Sequence, residues 1–122
     1  MFDKEFVLEI LTQIHGAILR SQKRFVPILS ADDFTNSESG MEKLDAICMQ
    51  LIAIGESLKK IDNVTEKKLL KKYSEIDWKR VKGLRDIISH HYFDVDAEVI
   101  YDVCENHLDM LRTAVEKMMA DL

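Results

Sequence analysis

The chain has 122 residues, a length that favours one domain over residues 1–122. Of these residues 47% are hydrophobic, which excludes global disorder, and the presence of only one proline and four glycines favours an all-α fold. The longest apolar runs fall far short of the ~20 residues of a membrane-spanning helix, and the charged N-terminus lacks a signal-peptide pattern, so we expect a cytoplasmic protein without a membrane partner. The net charge is −5, but residues 59–85 carry a local charge of +6, so the overall balance does not exclude a nucleic-acid partner.

The apolar periodicity predicts four main helices and one short helix, and no window alternates with the period of a strand. The first helix runs from about Lys4 to Leu29, with Asp3 as its N-cap. Pro27 is expected to fray or kink its last turn. Residues 30–40 are polar and are predicted to form an irregular connection.

The second main helix is predicted from about Ser37 or Ser39 to Ile61, where Asp62 and Asn63 end it. Gly55 lies in the middle of this helix, where it costs roughly 1 kcal/mol relative to alanine. Its presence there suggests a close helix crossing, and the adjacent Glu56 is a candidate inward-facing acid.

A short basic helix is predicted from Thr65 to about Tyr73, and the third main helix begins near Asp77 and Trp78. Phe93–Asp96 is predicted to form a turn. A fourth main helix follows, with Asp94 or Asp96 as its N-cap, and runs to about Met119. The cysteines lie in apolar helical patterns and are expected to be buried and reduced; they are Cys48 and Cys104. Candidate core residues of the last two main helices are Val81, Leu84, Ile87, Ile88, Val99, Val103, Leu108, Leu111, Val115 and Met118.

The segment Arg85–Tyr92 combines groups suited to phosphodiester chemistry without a metal. Arg85 stays charged and can hold a phosphate with two parallel hydrogen bonds, and His90 can accept or donate a proton near neutral pH. On an ideal helix Tyr92 shares a face with Arg85, whereas His90 lies roughly 140° from Arg85. Convergence therefore requires the helix to end or distort near His90, or a second copy of the chain to complete a cleft across a two-fold axis.

In such a cleft the chemistry would be transesterification of RNA. His90 would take the proton of a ribose 2′-hydroxyl, and Arg85 would stabilise the charge on the phosphorane, leaving a 2′,3′-cyclic phosphate and a 5′-hydroxyl. Because the reaction needs the 2′-hydroxyl, DNA is excluded as a substrate. The basic residues beside the motif are candidate RNA-binding groups; they are Lys79, Arg80 and Lys82.

A structural interpretation of the same residues stays open. The lysines can form a solvated helix face, and Arg85 can pair with a surface acid such as Glu56 or Asp77. His91 fits a packing or capping role better than a catalytic one, and Tyr92 can anchor the end of the helix.

The spacing Arg85-x4-His90-x-Tyr92 resembles the Arg-x4-His-x-Tyr motif of the HepT-like toxins, in the HEPN (higher eukaryotes and prokaryotes nucleotide-binding) superfamily. The similarity extends along the chain through three further segments: Ile54-Gly55-Glu56, Ile76-Asp77-Trp78 and His90-His91-Tyr92-Phe93-Asp94. The resemblance implies an up-and-down four-helix bundle with an additional short helix. It also implies a homodimer with a metal-independent endoribonuclease site in the dimer cleft.

The resemblance assigns roles to individual residues. Arg85 and His90 would be catalytic, with Asp86 and Glu56 in support. It further implies a toxin–antitoxin pair of type II/VII-like organisation, in which an MNT-type nucleotidyltransferase antitoxin adds AMP to the motif tyrosine, here Tyr92. AMP at that position would place a phosphate in the Arg85 site and block the cleft. No cofactor and no metal are expected.

Two other functions remain open. One is a non-catalytic helical module that binds a nucleotidyltransferase or a nucleotide through the same basic cleft, which the acidic net charge favours. The other is a metal–carboxylate bundle built on His90, His91 and Asp94 or Asp96. The absence of a Glu-x-x-His pair from the sequence argues against a di-iron site.

Overall fold

The computed structural model describes residues 2–90 and 96–122, and the side chain of His90 also lies outside this description. The described residues form helices and connecting turns without a strand, which confirms the all-α class. The α-helices are α1 (Lys4–Phe25), α2 (Asp32–Thr35), α3 (Glu38–Val64), α4 (Trp78–Lys82), α5 (Leu84–His90), α6 (Ala97–Asp102) and α7 (Leu108–Asp121). A 3₁₀ turn spans Leu70–Lys72, and a π-helical turn spans Val103–His107 between α6 and α7.

The four-helix bundle consists of α1, α3, the α4–α5 pair and the continuous α6–π–α7 segment. The long helix α3 packs against α1 on one side and against α4 and α5 on another. One hydrophobic core joins all four parts because each helix contributes an apolar stripe. Its most deeply buried side chains include Leu11, Ile14, Ile18, Ile47, Leu51, Ile54, Leu58, Ile100, Leu108 and Met118.

The predicted helix starts are largely confirmed by their capping contacts. The Asp3 carboxylate accepts a hydrogen bond from the Phe6 N–H, and the Ser37 hydroxyl accepts one from the Gly40 N–H. Asp96 caps α6 by accepting hydrogen bonds from the first backbone N–H groups of that helix. Each contact satisfies a backbone donor that the helix itself leaves unpaired.

The first connection differs from the prediction. Helix α1 ends at Phe25 and not at Leu29, because Pro27 has no N–H to donate and its ring disfavours continuation of the helix. The segment that was expected to be irregular contains the short helix α2. That turn is stabilised by Phe34, which is completely buried against the core.

The end of α3 and the predicted basic helix also differ from expectation. Asp62 does not end α3, because its buried carboxylate pairs with Lys82, and the helix continues to Val64. Thr65 ends it, with its hydroxyl donating to the Ile61 carbonyl oxygen at 2.8 Å. Glu66 and Lys67 then adopt left-handed φ angles of 55° and 62°, so the predicted helix is wrong and only the short 3₁₀ turn follows.

The third main helix starts as predicted but is interrupted by Gly83, which separates α4 from α5. Two predicted core residues, Ile87 of this helix and Val99 of α6, are also corrected. Ile87 and Val99 are 46% and 36% exposed, because they lie at an open groove and not inside the bundle. The two cysteines are buried free thiols, as predicted. None of the helices in the described ranges combines the length and hydrophobicity needed to cross a bilayer.

Candidate functional site

The junction of α4 and α5 lies against α3 at Gly55. A Cβ atom on Gly55 would lie 2.9 Å from the carbonyl oxygen of Val81 and 3.4 Å from that of Lys82. Only a glycine therefore allows the α4 backbone to come this close, which confirms the predicted helix crossing. Because Glu56 is the next residue on α3, this contact also sets the distance between Glu56 and the beginning of α5.

Arg85 and Glu56 form an ion pair at this crossing. Nη1 of Arg85 donates to Oε1 of Glu56 at 2.5 Å, and Nζ of Lys59 lies 3.2 Å from the other carboxylate oxygen. The hydrogen bond from Arg85, followed by that from Lys59, lowers the pKa of Glu56 below its ordinary value, so Glu56 is a carboxylate at neutral pH. Of the two acids suggested as partners for Arg85, Glu56 is the one that pairs; Asp77 caps α4.

The pair is accessible from solvent. The Arg85 side chain is 56% exposed and the Glu56 side chain 36%, so Glu56 faces Arg85 at the surface and does not point into the core. Asp86 is also exposed, in the first turn of α5, where a carboxylate interacts favourably with the helix dipole. An exposed guanidinium that is held by one carboxylate can reach a phosphate without unfolding any part of the bundle.

The register of α5 separates the two candidate catalytic positions. Leu84 and Ile88 are buried, so Arg85 and Ile87 lie on opposite flanks of the helix. Helix α5 reaches His90, three residues after Ile87, so the backbone position of His90 lies on the Ile87 flank, roughly 140° from Arg85. Along the helix, therefore, the two positions diverge within one copy of the chain.

The three candidate RNA-binding residues have different surroundings. Lys79 and Arg80 are exposed on α4. Lys82 is partly buried, and its ammonium group is paired with the carboxylate of Asp62 on α3. This ion pair ties α4 to α3, so Lys82 has a structural contact in addition to any role with a ligand.

An apolar groove lies on the Ile87 flank of α5, and the sequence pattern had not predicted it. Its wall includes three exposed apolar side chains, Ile87, Val99 and Met110. Charged and polar residues of mixed sign are also among the residues that line it: Glu75, Asp77, Arg80 and His107. Periodicity assigned Ile87 and Val99 to the core because it cannot distinguish a face that packs within the chain from one that faces outward.

The remaining site predictions fall mainly outside the described residues. His91, Tyr92 and Asp94 belong to that group, together with the side chain of His90. Within residues 2–90 and 96–122, no three His, Cys, Asp or Glu side chains are grouped so that they could hold a metal ion. Asp96, the remaining member of the suggested metal site, caps α6.

A family model described as "Ribonuclease HepT-like" matches residues 7–118. The chain belongs to the HepT-like family. The match extends over every candidate site residue of this HepT-like chain, including the motif positions. The membership explains why the resemblance that was noted in the motif continues through the helices before and after it.

Named relatives agree with this assignment. The chain is 32% identical to "Putative RNase MJ0127" of Methanocaldococcus jannaschii over 96 residues. The aligned region covers 74% of this chain and 76% of the relative. Two further proteins of that organism, "Putative RNase MJ0125" and "Putative RNase MJ1216", are 28% and 26% identical, each over 98% of this chain and over 92% and 88% of their own lengths. No solved structure matches the chain.

Proposed function

We propose that this HepT-like protein is a metal-independent endoribonuclease. The observation that carries the proposal is the family match, which includes Arg85, Glu56 and His90 in one aligned region, residues 7–118. The geometry supports it, because Arg85 is exposed, permanently charged and held in place by Glu56. A guanidinium held at the surface in this way is suited to bind a backbone phosphate.

The reaction is an in-line transesterification. His90 accepts the proton of the ribose 2′-hydroxyl as its oxygen attacks phosphorus, and Arg85 stabilises the charge that develops on the phosphorane. The bond to the 5′-oxygen breaks, and a second His90 or a water molecule protonates that oxygen. The products are a 2′,3′-cyclic phosphate and a 5′-hydroxyl, and DNA is not cut.

A second copy of the chain completes the site. Within one copy the helix register places Arg85 and the His90 position on different flanks of α5, so the partner's His90 would supply the missing group. The apolar groove supports such a contact because it lies on the same flank as the His90 position and leaves Ile87 exposed. Acidic and basic residues along the groove suit an isologous interface, in which Arg80 of each copy can face Asp77 of the other.

The proposed biological role is that of a toxin controlled by an MNT-type nucleotidyltransferase antitoxin. With ATP as donor, the phenolic oxygen of Tyr92 would attack the α-phosphorus, lose its proton and release pyrophosphate, leaving AMP on the tyrosine. The added phosphate would compete for Arg85, and the adenosine would obstruct the cleft. The intact mass of the protein after co-expression with such a partner tests this: an increase of one adenylate group is expected, and no increase contradicts it.

Nuclease assays in EDTA test the proposed activity. We expect the purified protein to cut single-stranded RNA, to leave DNA of the same sequence intact, and to lose activity on His90→Ala or Arg85→Ala substitution. Ser89→Ala is the matched control, because Ser89 is an exposed neighbour on α5 without a proposed role. Full activity of a folded His90→Ala variant would refute the proposed mechanism. Binding of RNA by the wild-type protein without any cleavage product would favour the non-catalytic module.

A further inference from the structure

Glu56 lies between two cations. Its Oε1 atom accepts the hydrogen bond from Arg85 at 2.5 Å, and its Oε2 atom lies 3.2 Å from Nζ of Lys59, one turn further along α3. The Lys59 side chain is 43% exposed, so all three groups can be reached from solvent. The proposed mechanism uses Arg85 and gives no role to Lys59.

The arrangement resembles the grip of two cations on a phosphate. A carboxylate and the non-bridging part of a phosphodiester both present two negative oxygens a short distance apart, and arginine binds both groups through the same hydrogen-bonding geometry. Arg85 and Lys59 each hold one oxygen of Glu56. Their charged groups are therefore already positioned on the two sides of an anion of about that size.

We propose that Lys59 and Arg85 together form a binding site for one backbone phosphate of single-stranded RNA, and that Glu56 occupies this site in the free protein as an internal competitor. The inference rests on the proposed function, because it names the groups that hold the substrate at that site. Binding is an exchange, in which a non-bridging phosphate oxygen replaces the Glu56 carboxylate on each cation. Lys59 would then be an RNA-contacting residue that the motif does not include.

The charge balance supports the exchange. With Glu56 ionised the three groups carry +1, so the site attracts a phosphodiester while the Glu56 carboxylate opposes its approach. A neutral glutamine at position 56 retains an oxygen that can accept from Arg85 but removes the opposing charge. Removing one negative charge also strengthens RNA binding in general, by an amount that Glu66→Gln, in the exposed pair with Lys68, measures. If Glu56 only orients Arg85, Glu56→Gln gains no more affinity than Glu66→Gln; if Glu56 competes with phosphate, Glu56→Gln gains more.

The test measures the affinity of the full-length protein for a short single-stranded RNA with 2′-O-methyl groups, which cannot be cleaved, at several salt concentrations. We expect Glu56→Gln to bind about threefold more tightly than wild type, and Lys59→Ala about threefold more weakly. The slope of log K against log salt should fall by about 0.7 for Lys59→Ala, as expected for one lost phosphate contact on a single strand.

The matched control is Lys60→Ala, which removes the same charge from the next position of α3. The Lys60 ammonium lies over the ring of Phe6, 5.1 Å from its centroid, and is not paired with Glu56. Its variant measures the effect of net charge alone, so a smaller slope change than that of Lys59→Ala supports the proposal. Equal changes for the two lysine variants would overturn it, as would a gain in affinity by Glu56→Gln no larger than that of Glu66→Gln.

Folding and catalysis are measured separately. Each variant is checked by thermal unfolding, and Lys59→Gln replaces Lys59→Ala if the alanine variant is unstable. Cleavage of natural RNA is assayed with the same proteins. If the wild-type protein does not cut RNA but the variants change RNA affinity as expected, the proposed nuclease activity is refuted and the phosphate site is retained. If the wild-type protein cuts RNA but the Glu56 and Lys59 variants bind RNA as the wild type does, the nuclease activity is retained and the phosphate site is refuted. No binding of the uncleavable RNA by the wild type would also overturn the phosphate site.

Discussion

The close contact at Gly55 predicts opposite effects for two glycine-to-alanine substitutions. In a helix interior, alanine is favoured over glycine by about 1 kcal/mol, and this gain applies to both Gly16 on α1 and Gly55 on α3. At Gly16 the nearest atom to an added Cβ is Nη1 of Arg20 at 3.2 Å, the end of a flexible side chain that can move away. Gly16→Ala should therefore raise the free energy of unfolding by about 0.5–1 kcal/mol.

At Gly55 the nearest atom is the backbone oxygen of Val81 at 2.9 Å, which cannot rotate away. The overpacking cost is about 1–3 kcal/mol and cancels or exceeds the gain in helix propensity. Because the propensity term is common to both variants, the difference in their stabilities, about 1–3 kcal/mol, measures the steric contact. Urea unfolding followed by circular dichroism gives both values, and equal stabilisation by the two substitutions would refute the close crossing.

The same substitution should affect the candidate site. The added methyl group pushes α4 away from α3, and this displacement separates Arg85 on α5 from Lys59 on α3, the two cations of the proposed phosphate site, although neither residue has been changed. We expect Gly55→Ala to cut RNA more slowly than Gly16→Ala when both variants are folded. Equal rates would show that the position of α5 on α3 does not determine activity.

Three further predictions concern stability and assembly. Burial, together with the hydrogen bond to Asp121, raises the pKa of Tyr73 to about 12. The contribution of the protonated Tyr73 to the free energy of unfolding is therefore complete below about pH 10 and is lost as the pH rises to about 12. Tyr73→Phe should reduce this loss of stability at alkaline pH, measured by unfolding at a series of pH values. Asp62→Asn should lower the free energy of unfolding by about 2 kcal/mol, because it leaves the partly buried Lys82 unpaired. As a control, Glu66→Gln in the exposed pair with Lys68 should change the free energy of unfolding by less than about 0.5 kcal/mol. Similar losses in the two variants would contradict the structural role of the Asp62–Lys82 pair. Ile87→Glu should convert the proposed dimer to a monomer in sedimentation experiments, because it places a charge in the groove. Met49→Glu, at an exposed position of α3 away from the groove, should leave the dimer intact. A dimer that persists in Ile87→Glu would exclude the groove as the interface.

Much of the secondary structure followed from the sequence because it depends on residues within one or two turns. Apolar spacing located the main helices, and the sequence narrowed their starts to Asp3, to Ser37 or Ser39, and to Asp94 or Asp96, since a capping side chain bonds to an N–H only two or three residues away. The caps observed in the structure are Asp3, Ser37 and Asp96. The prediction failed where a distant contact prevailed. Asp62 resembled a helix breaker, but its ion pair with Lys82, 20 residues away, stabilises it inside α3.

In the candidate site, too, some features follow from the sequence and others depend on contacts between distant residues. The motif and its family resemblance predicted Arg85 as a site residue, and Gly55 indicated a close approach because glycine is costly inside a helix. The sequence left open whether Arg85 pairs with Glu56 or Asp77, and the packing of α5 on α3 decided for Glu56, 29 residues away.

The tertiary structure alone decided which apolar residues remain accessible. Helical periodicity places Ile87 on an apolar face, but it cannot specify whether that face meets another helix of the same chain. In the folded chain α4 and α5 leave a groove beside α6 and α7, so Ile87 and Val99 remain partly exposed. Local backbone geometry thus follows from neighbouring residues, whereas ion pairs and open surfaces depend on how distant helices pack, because a side chain's partners are set by distances in space and not along the chain.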